Sequence, residues 1–212
     1  MQTDNLIHTL AADAGRSSVS PDRVWWAVLG LAALLAGAAC LLTLGPRPDI
    51  AAAAATIRFP FKFVVTLTLA VTAFALIRHL ARPGAAARSA GRLVLLAPAL
   101  LAAAVVIELL AVPYQAWGER LVGTNSMVCL VFIPLLGALP LAVFVLALRH
   151  GAPTRPAVAG AVAGLLAGGV AATFYAAHCT DDSPLFVATW YTIAILGLAA
   201  AGAVAARLFV RW

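Results

Sequence analysis

Long apolar runs alternate with short polar connections along this chain, and six of the runs are long enough to cross a bilayer. A helical span needs about 20 apolar residues to cover a hydrocarbon core of about 30 Å. Residues 24–45, 62–80, 92–112, 126–148, 156–177 and 184–206 meet that length. Isolated strands leave backbone N–H and C=O groups unpaired in lipid, so all six runs are expected to be helices. Polar residues just ahead of proline mark helix starts at Ser20-Pro21, Thr154-Arg155-Pro156 and Ser183-Pro184. The second run is the shortest, and its flanking Lys62 and Arg78 have stems long enough to snorkel to the interface.

Composition excludes the soluble classes. Of 212 residues, 64% are apolar and 10% charged, against roughly 45–50% and about 25% in an average soluble domain. So few charges cannot clothe a globule of this size in water. The fold class is therefore an all-α membrane protein of six transmembrane helices. Residues 1–23 form a short N-terminal segment and residues 24–212 the membrane domain. The segment lacks the basic start and cleavage site of a signal peptide and is expected to stay attached.

The 14 basic and 8 acidic residues give a net charge of +6. The basic residues lie between apolar runs, so they read as topology signals facing lipid headgroups, with no direct nucleic-acid binding. With the N-terminus inside, Arg16, Arg23, Arg78, Arg82, Arg88, Arg92, Arg149, Arg155, Arg207 and Arg211 face the cytoplasm. Only Arg47, Arg58, Lys62 and Arg120 then lie outside. Cytoplasmic connections concentrate Lys and Arg, so both termini are expected to be cytoplasmic. Gly160, Gly164 and Gly168 recur at intervals of four in the fifth run, a stripe that allows a second helix to approach closely.

Candidate chemistry gathers on the outer side. Cys129 falls in the first turn of the fourth helix if Asn125 or Ser126 caps it, and the partial positive charge there favours a thiolate. Cys179 ends the fifth helix within His178-Cys179-Thr180-Asp181-Asp182-Ser183. Measured from the connection between these helices, the two thiols rise about 30 and about 34 Å at 1.5 Å per residue, hence to similar levels. That permits a disulfide without requiring one. Cys129, Cys179, His178, Asp181 and Asp182 match a soft or borderline metal site for transient zinc, cadmium or copper(I). They match a redox pair equally well, and the thiols also fit as small core residues. No constitutive cofactor is implied.

Cys40 lies deeper and reads as core packing. Glu108 is the one acidic residue inside a run, a costly placement, with Lys62 as its expected partner. Trp25, Trp26, Trp117, Trp190 and Trp212 stand near the predicted boundaries as interfacial anchors. In the N-terminal segment, Leu6, Ile7 and Leu10 share a helical face between Asp4 and Asp13. A helix so short is marginal alone and gains stability by lying on lipid or on a protein groove.

Several of these stretches carry a resemblance. Thr3-Asp4-Asn5-Leu6-Ile7 with Leu10-Ala11-Ala12-Asp13, Gly45-Pro46-Arg47-Pro48-Asp49 and Gly151-Ala152-Pro153-Thr154-Arg155-Pro156 are three of them. The fourth, from His178-Cys179 through Val187 to Trp190-Tyr191, is the most specific. With six spans, the whole chain resembles the NrsF family (negative regulator of sigma F), anti-sigma factors of the bacterial inner membrane. The resemblance implies that the cytoplasmic side holds an extracytoplasmic-function sigma factor. It implies release when periplasm-facing cysteines, matched by Cys129 and Cys179, sense heavy metal or oxidant. Sigma capture would then fall to the N-terminal segment (Asp4, Leu6, Ile7, Leu10, Asp13), because no H-x-x-x-C-x-x-C zinc motif is present on the inner side. An enzymatic role is not expected. A membrane thiol oxidoreductase would want a C-x-x-C pair, and a small metal transporter would want polar residues near the bilayer midplane.

Overall fold

A computed structural model describes Thr3, Ile7 and residues 20–82 and 88–210. Those residues form helices and connections, with no strand among them. Six helices are long and apolar enough to cross a membrane. The spans are Asp22–Thr43, Arg58–Leu80, Ser89–Ala111, Ser126–Leu148, Pro156–Ala176 and Pro184–Phe209, and their main helical segments are α1 (Pro21–Thr43), α2 (Arg58–Leu80), α3 (Leu96–Ala111), α4 (Ser126–Leu148), α5 (Pro156–Ala176) and α6 (Thr192–Phe209). The starts at Pro21, Pro156 and Pro184 fall where the polar-Pro pairs place them. At Ser183 the cap is formed, its hydroxyl accepting from Leu185 N at 3.2 Å.

Two of the runs are not single regular helices. The third breaks at Val94-Leu95, between a short helix Arg88–Leu93 and α3. Pro98 explains the break: it has no N–H for the Val94 carbonyl, and its ring crowds that carbonyl. The sixth begins with Pro184–Phe186 and passes through a π-helical turn, Val187–Tyr191, before α6. That turn swings Tyr191 into the core, where it is 1% exposed.

α5 is the axis of the bundle and packs against α1, α2, α4 and α6. Its glycine stripe is the reason. A Cβ on Gly160 would collide with Gly202 O and Ala206 Cβ, and one on Gly164 with Leu198 O, all on α6. Gly169 makes the same allowance for Ala70 of α2. The stripe is therefore an internal seam that brings two backbones together, where dispersion contacts replace a hydrophobic drive. α3 lies at the margin, against α2 along its length and the Pro184–Tyr191 stretch at its end. Trp25 is buried in the bundle, unlike the boundary position its sequence suggests, while Trp26 stays exposed and packs at a tilt against Phe74, ring centroids 4.9 Å apart.

Strict alternation of the helices gives the bundle two unlike ends. At one, Asp22 of α1 accepts from Arg78 and Arg82, each at 2.6 Å, and Ala152 N bonds Ala81 O at 3.1 Å. The described chain enters α1 at this arginine-rich end, at Ser20. At the other end, the connections 44–57, 112–125 and 177–183 meet near Cys129 and Cys179.

Candidate functional site

The thiol end is built on the stretch that links α5 to α6. Helix α5 stops at Ala176, and His178-Cys179-Thr180-Asp181-Asp182-Ser183 then crosses the bundle before Pro184 restarts a helix. Neighbouring elements hold this crossing at every residue. His178 Nδ1 lies 3.0 Å from Gly45 O, and Arg47 N donates to Ala177 O at 3.0 Å. Lys62 of α2 donates to Cys179 O at 2.8 Å and to Asp182 Oδ1 at 2.6 Å, with Asp181 O at 3.4 Å. Its three ammonium protons thus have three acceptors, and Lys62 is only 1% exposed. It does not snorkel; it is the buried post to which the crossing is tied.

Arg47 completes the centre. Its guanidinium forks Asp49 at 2.7 Å through two nitrogens, reaches Asp182 at 2.9 and 3.1 Å, and donates to Cys179 O at 3.3 Å. Two cations and two carboxylates (Arg47, Lys62, Asp49 and Asp182) therefore neutralise one another in a half-buried cluster, the condition under which buried charge is tolerated. The Asp49 hydrogen bond, with Asp182 beside it, holds Arg47 even more firmly protonated than usual. In return the Arg47 guanidinium holds the Asp49 carboxyl below the usual carboxylate range.

Asp181 has a separate task. Its carboxylate accepts from Asn125 N at 2.8 Å, Thr124 N at 3.1 Å and Asn125 Nδ2 at 2.9 Å, at the start of α4. Asn125 Nδ2 also donates to Thr180 Oγ1 at 2.9 Å. Asp181 thus pins the element carrying Cys129 to the crossing carrying Cys179. The positive φ of Gly123 (60°) leaves the space this requires, since a Cβ there would strike Phe186 and Asp181.

Both thiols are free and fully buried, at 0% exposure. The helix N-terminus does not present Cys129 as an open reactive group, because the thiol is 0% exposed. Burial pushes the Cys179 thiol up, against the opposing pull of Lys62. The rings of Tyr175 and Tyr191, both buried, lie 5.7 Å apart, and Phe186 packs edge-on against Tyr191. Cys40 is buried apart from this pair, its Sγ 3.6 Å from Phe174 O, in keeping with core packing.

The five ligand candidates do not converge as one set. His178, Asp181 and Asp182 are each engaged with backbone, hydroxyl or cationic partners. Among the described residues no group of three or more His, Cys, Asp or Glu is placed to hold a metal ion. Only the two sulfurs are left without a strong partner.

Glu108 is buried as its position suggests, but its partner is not Lys62. It binds Arg120 at 2.8 Å, Ser183 Oγ at 2.8 Å and Leu185 N at 3.2 Å, with Arg58 at 3.5 Å. Lys62 points into the bundle and is consumed by the crossing, whereas Arg120 returns on the short helix Trp117–Val122 just after α3. Of the partner-binding candidates, Ile7 is helical and exposed, while Asp4, Leu6, Leu10 and Asp13 lie outside the described residues. Arg47, Thr124, Tyr175, Tyr191 and Arg120 were not singled out by sequence reasoning. The one signal for Arg47 was its place between two prolines with Asp49 two residues on.

No solved structure matches this chain. The sequence profile described as "Negative regulator of sigma F" (NrsF) matches residues 10–212. The anti-sigma-F factor NrsF of Caulobacter vibrioides is 37% identical over the full length of both chains. A probable anti-sigma-F factor NrsF of Azospira oryzae is 34% identical, again over all of both chains. With six candidate spans and the thiol-bearing crossing in place, this chain belongs to the NrsF family of negative regulators of sigma F.

Proposed function

We propose that this protein is an inner-membrane anti-sigma factor that holds an extracytoplasmic-function sigma factor on its arginine-rich, cytoplasmic end. The thiol end then faces the periplasm, where a soft or borderline metal ion or an oxidant acts on Cys129 and Cys179 and releases the sigma factor. The observation that carries this reading is the shared anchoring of the two thiols. Cys129 and Cys179 sit on separate elements joined by Asp181, and the Cys179 backbone is held by Lys62.

Lys62 also supplies a route across the membrane. It stands at one end of α2, and Arg78 at the other end binds Asp22 at the start of α1. The N-terminal segment leads directly into Asp22. A ligand that pulls the sulfurs together shifts the Cys179 carbonyl, loosens or re-aims Lys62, and moves α2 relative to α1. Such a ligand drives release only if it binds the sigma-free state better than the sigma-holding one.

The test is a mild-detergent pull-down from the native bacterium, with and without cadmium. A sigma factor should copurify, leave on exposure, and stay bound to the Cys129→Ser/Cys179→Ser protein. Absence of any sigma factor before stress contradicts the reading.

A further inference from the structure

Helices α1 and α2 each lie on α5 but scarcely touch one another. Between them runs a cleft of about 270 Å³, lined by Leu29 and Ala33 of α1, Leu67 and Val71 of α2, and Val170 and Phe174 of α5. The lining is apolar, and Thr173 within it donates its hydroxyl to Gly169 O at 2.7 Å. Leu67 and Val71 are well exposed at the depth of the span, so the cleft opens sideways, where lipid reaches it. Trp26 and Phe74 stand at its arginine-rich end, within about 10 Å of the helix ends at 1.5 Å per residue. The same two faces turn polar just beyond. On α2, Leu67, Val71 and Phe74 share a helical stripe with Arg78; on α1, Ala33, Leu29 and Trp26 share one with Asp22.

Charge at this mouth is out of balance. A single oxygen, Asp22 Oδ1, accepts from the Nη2 atoms of both Arg78 and Arg82, each at 2.6 Å. Among the described residues these guanidiniums have no other acceptor, and Arg78 Nε is buried without a partner. Ring faces orient Arg78 instead, its guanidinium 5.9 Å from the Trp26 ring and 5.5 Å from that of Phe74. Arg82 is half exposed. Guanidinium forks match phosphate oxygens, and an apolar groove that ends on an under-neutralised arginine pair has the polarity of a phospholipid. We infer that the α1–α2 cleft is a site for an anionic phospholipid, one acyl chain running over Trp26 into the cleft and the phosphate accepting from Arg78 and Arg82. A zwitterionic lipid brings its own cation with the phosphate, so the excess positive charge selects an anionic headgroup. In the orientation proposed above this lipid belongs to the cytoplasmic leaflet, while the site itself rests on the spans and not on thiol sensing. Bound there, the lipid bridges α1 and α2 at the Asp22–Arg78 junction.

The experiment mixes the purified full-length protein in detergent with phosphatidylglycerol or phosphatidylcholine of identical chains and reads binding by native mass spectrometry. Phosphatidylglycerol should bind about fivefold or more tighter, since an arginine beside an anionic headgroup contributes about 1 kcal/mol. Arg82→Gln leaves Asp22 paired with Arg78 and should remove most of that preference. Arg155→Gln, in a separate cleft with Arg207, should keep it. Ala33→Leu fills the groove and should weaken binding of both lipids several-fold. Equal affinity for the two lipids overturns the inference. So does a preference that Arg155→Gln removes as fully as Arg82→Gln, which assigns it to diffuse surface charge, and so does undiminished binding to Ala33→Leu. Inorganic phosphate should leave the lipid bound; displacement by it would mean that the arginines take a free anion, and overturns the lipid assignment. None of these readouts depends on cysteine chemistry or on sigma binding.

Discussion

The Lys62 ammonium stands 2.6 Å from Asp182 Oδ1, fully buried, and its remaining protons hold the carbonyls of Cys179 and Asp181. One side chain of α2 thus fixes the backbone on both sides of the turn that presents a thiol. Lys62→Met removes the donor to three acceptors and should lower the melting temperature in detergent, although Asp182 keeps Arg47 at 2.9 Å. Lys62→Met/Asp182→Leu should cost less than the two single changes added together, as expected for residues in contact. Strictly additive losses would show that the pair is not energetically coupled.

The same post controls access to the sulfur. Both thiols are at 0% exposure, so maleimide labelling of the native protein should be slow and limited by opening of the crossing. Loosening the Cys179 carbonyl in Lys62→Met should speed Cys179 labelling at least several-fold, read by mass spectrometry of peptides. Cys40, held in the core away from this crossing, should keep its rate.

Asp49 gives a pH dependence with a definite sign. Arg47 holds its carboxyl below the ordinary value of 3.8, so the pair contributes stability above that value. The contribution is lost as pH falls through the lowered folded value. Wild type should melt above Asp49→Asn at neutral pH, and the gap should close as the pH drops below about 4. A gap that widens on acidification would contradict the Arg47–Asp49 assignment. Because Asp49 is largely open to water, the gap is expected to be small.

Glycines separate the seam from the lipid face. Gly164→Leu places a side chain against the Leu198 carbonyl and Ala199 backbone of α6, so α5 and α6 must separate. Overpacking of a rigid core costs about 1–3 kcal/mol, and more where backbone is the obstacle. Aggregation on size exclusion, or a lower melting temperature, is the expected outcome. Gly197→Ala meets nothing within 4 Å and should be neutral or slightly stabilising, since Ala suits a helix better by about 0.5–1 kcal/mol.

Much of this fold was legible in the sequence, because a bilayer requires long apolar runs whatever their packing. The run at 126–148 coincides with α4, and the fifth differs from α5 by one residue. The break before α3 could have been read from Pro98, but the apolar count on either side hides it. The site was legible only as a list of residue types. Its pairings join residues far apart in the chain, such as Arg47 with Asp182, Lys62 with Cys179 and Asn125 with Asp181, and such pairings leave no periodic trace. Asp181 and Asp182 look alike in sequence, yet one tethers α4 and the other neutralises two cations. Lys62 and Arg47 were counted as topology signals because a boundary cation and a buried one are written the same way.

The central claim is that events at the buried thiols change affinity for a sigma factor at the far end. The most direct measurement is the dissociation constant of the purified complex in lipid nanodiscs, with and without cadmium, for wild type and for Cys129→Ser/Cys179→Ser. Cadmium should weaken wild-type binding by about 5–150-fold, the range of a 1–3 kcal/mol coupling, and leave the double variant unchanged. An equal dissociation constant with and without the metal in wild type, with cadmium demonstrably bound to the thiols, would contradict the claim.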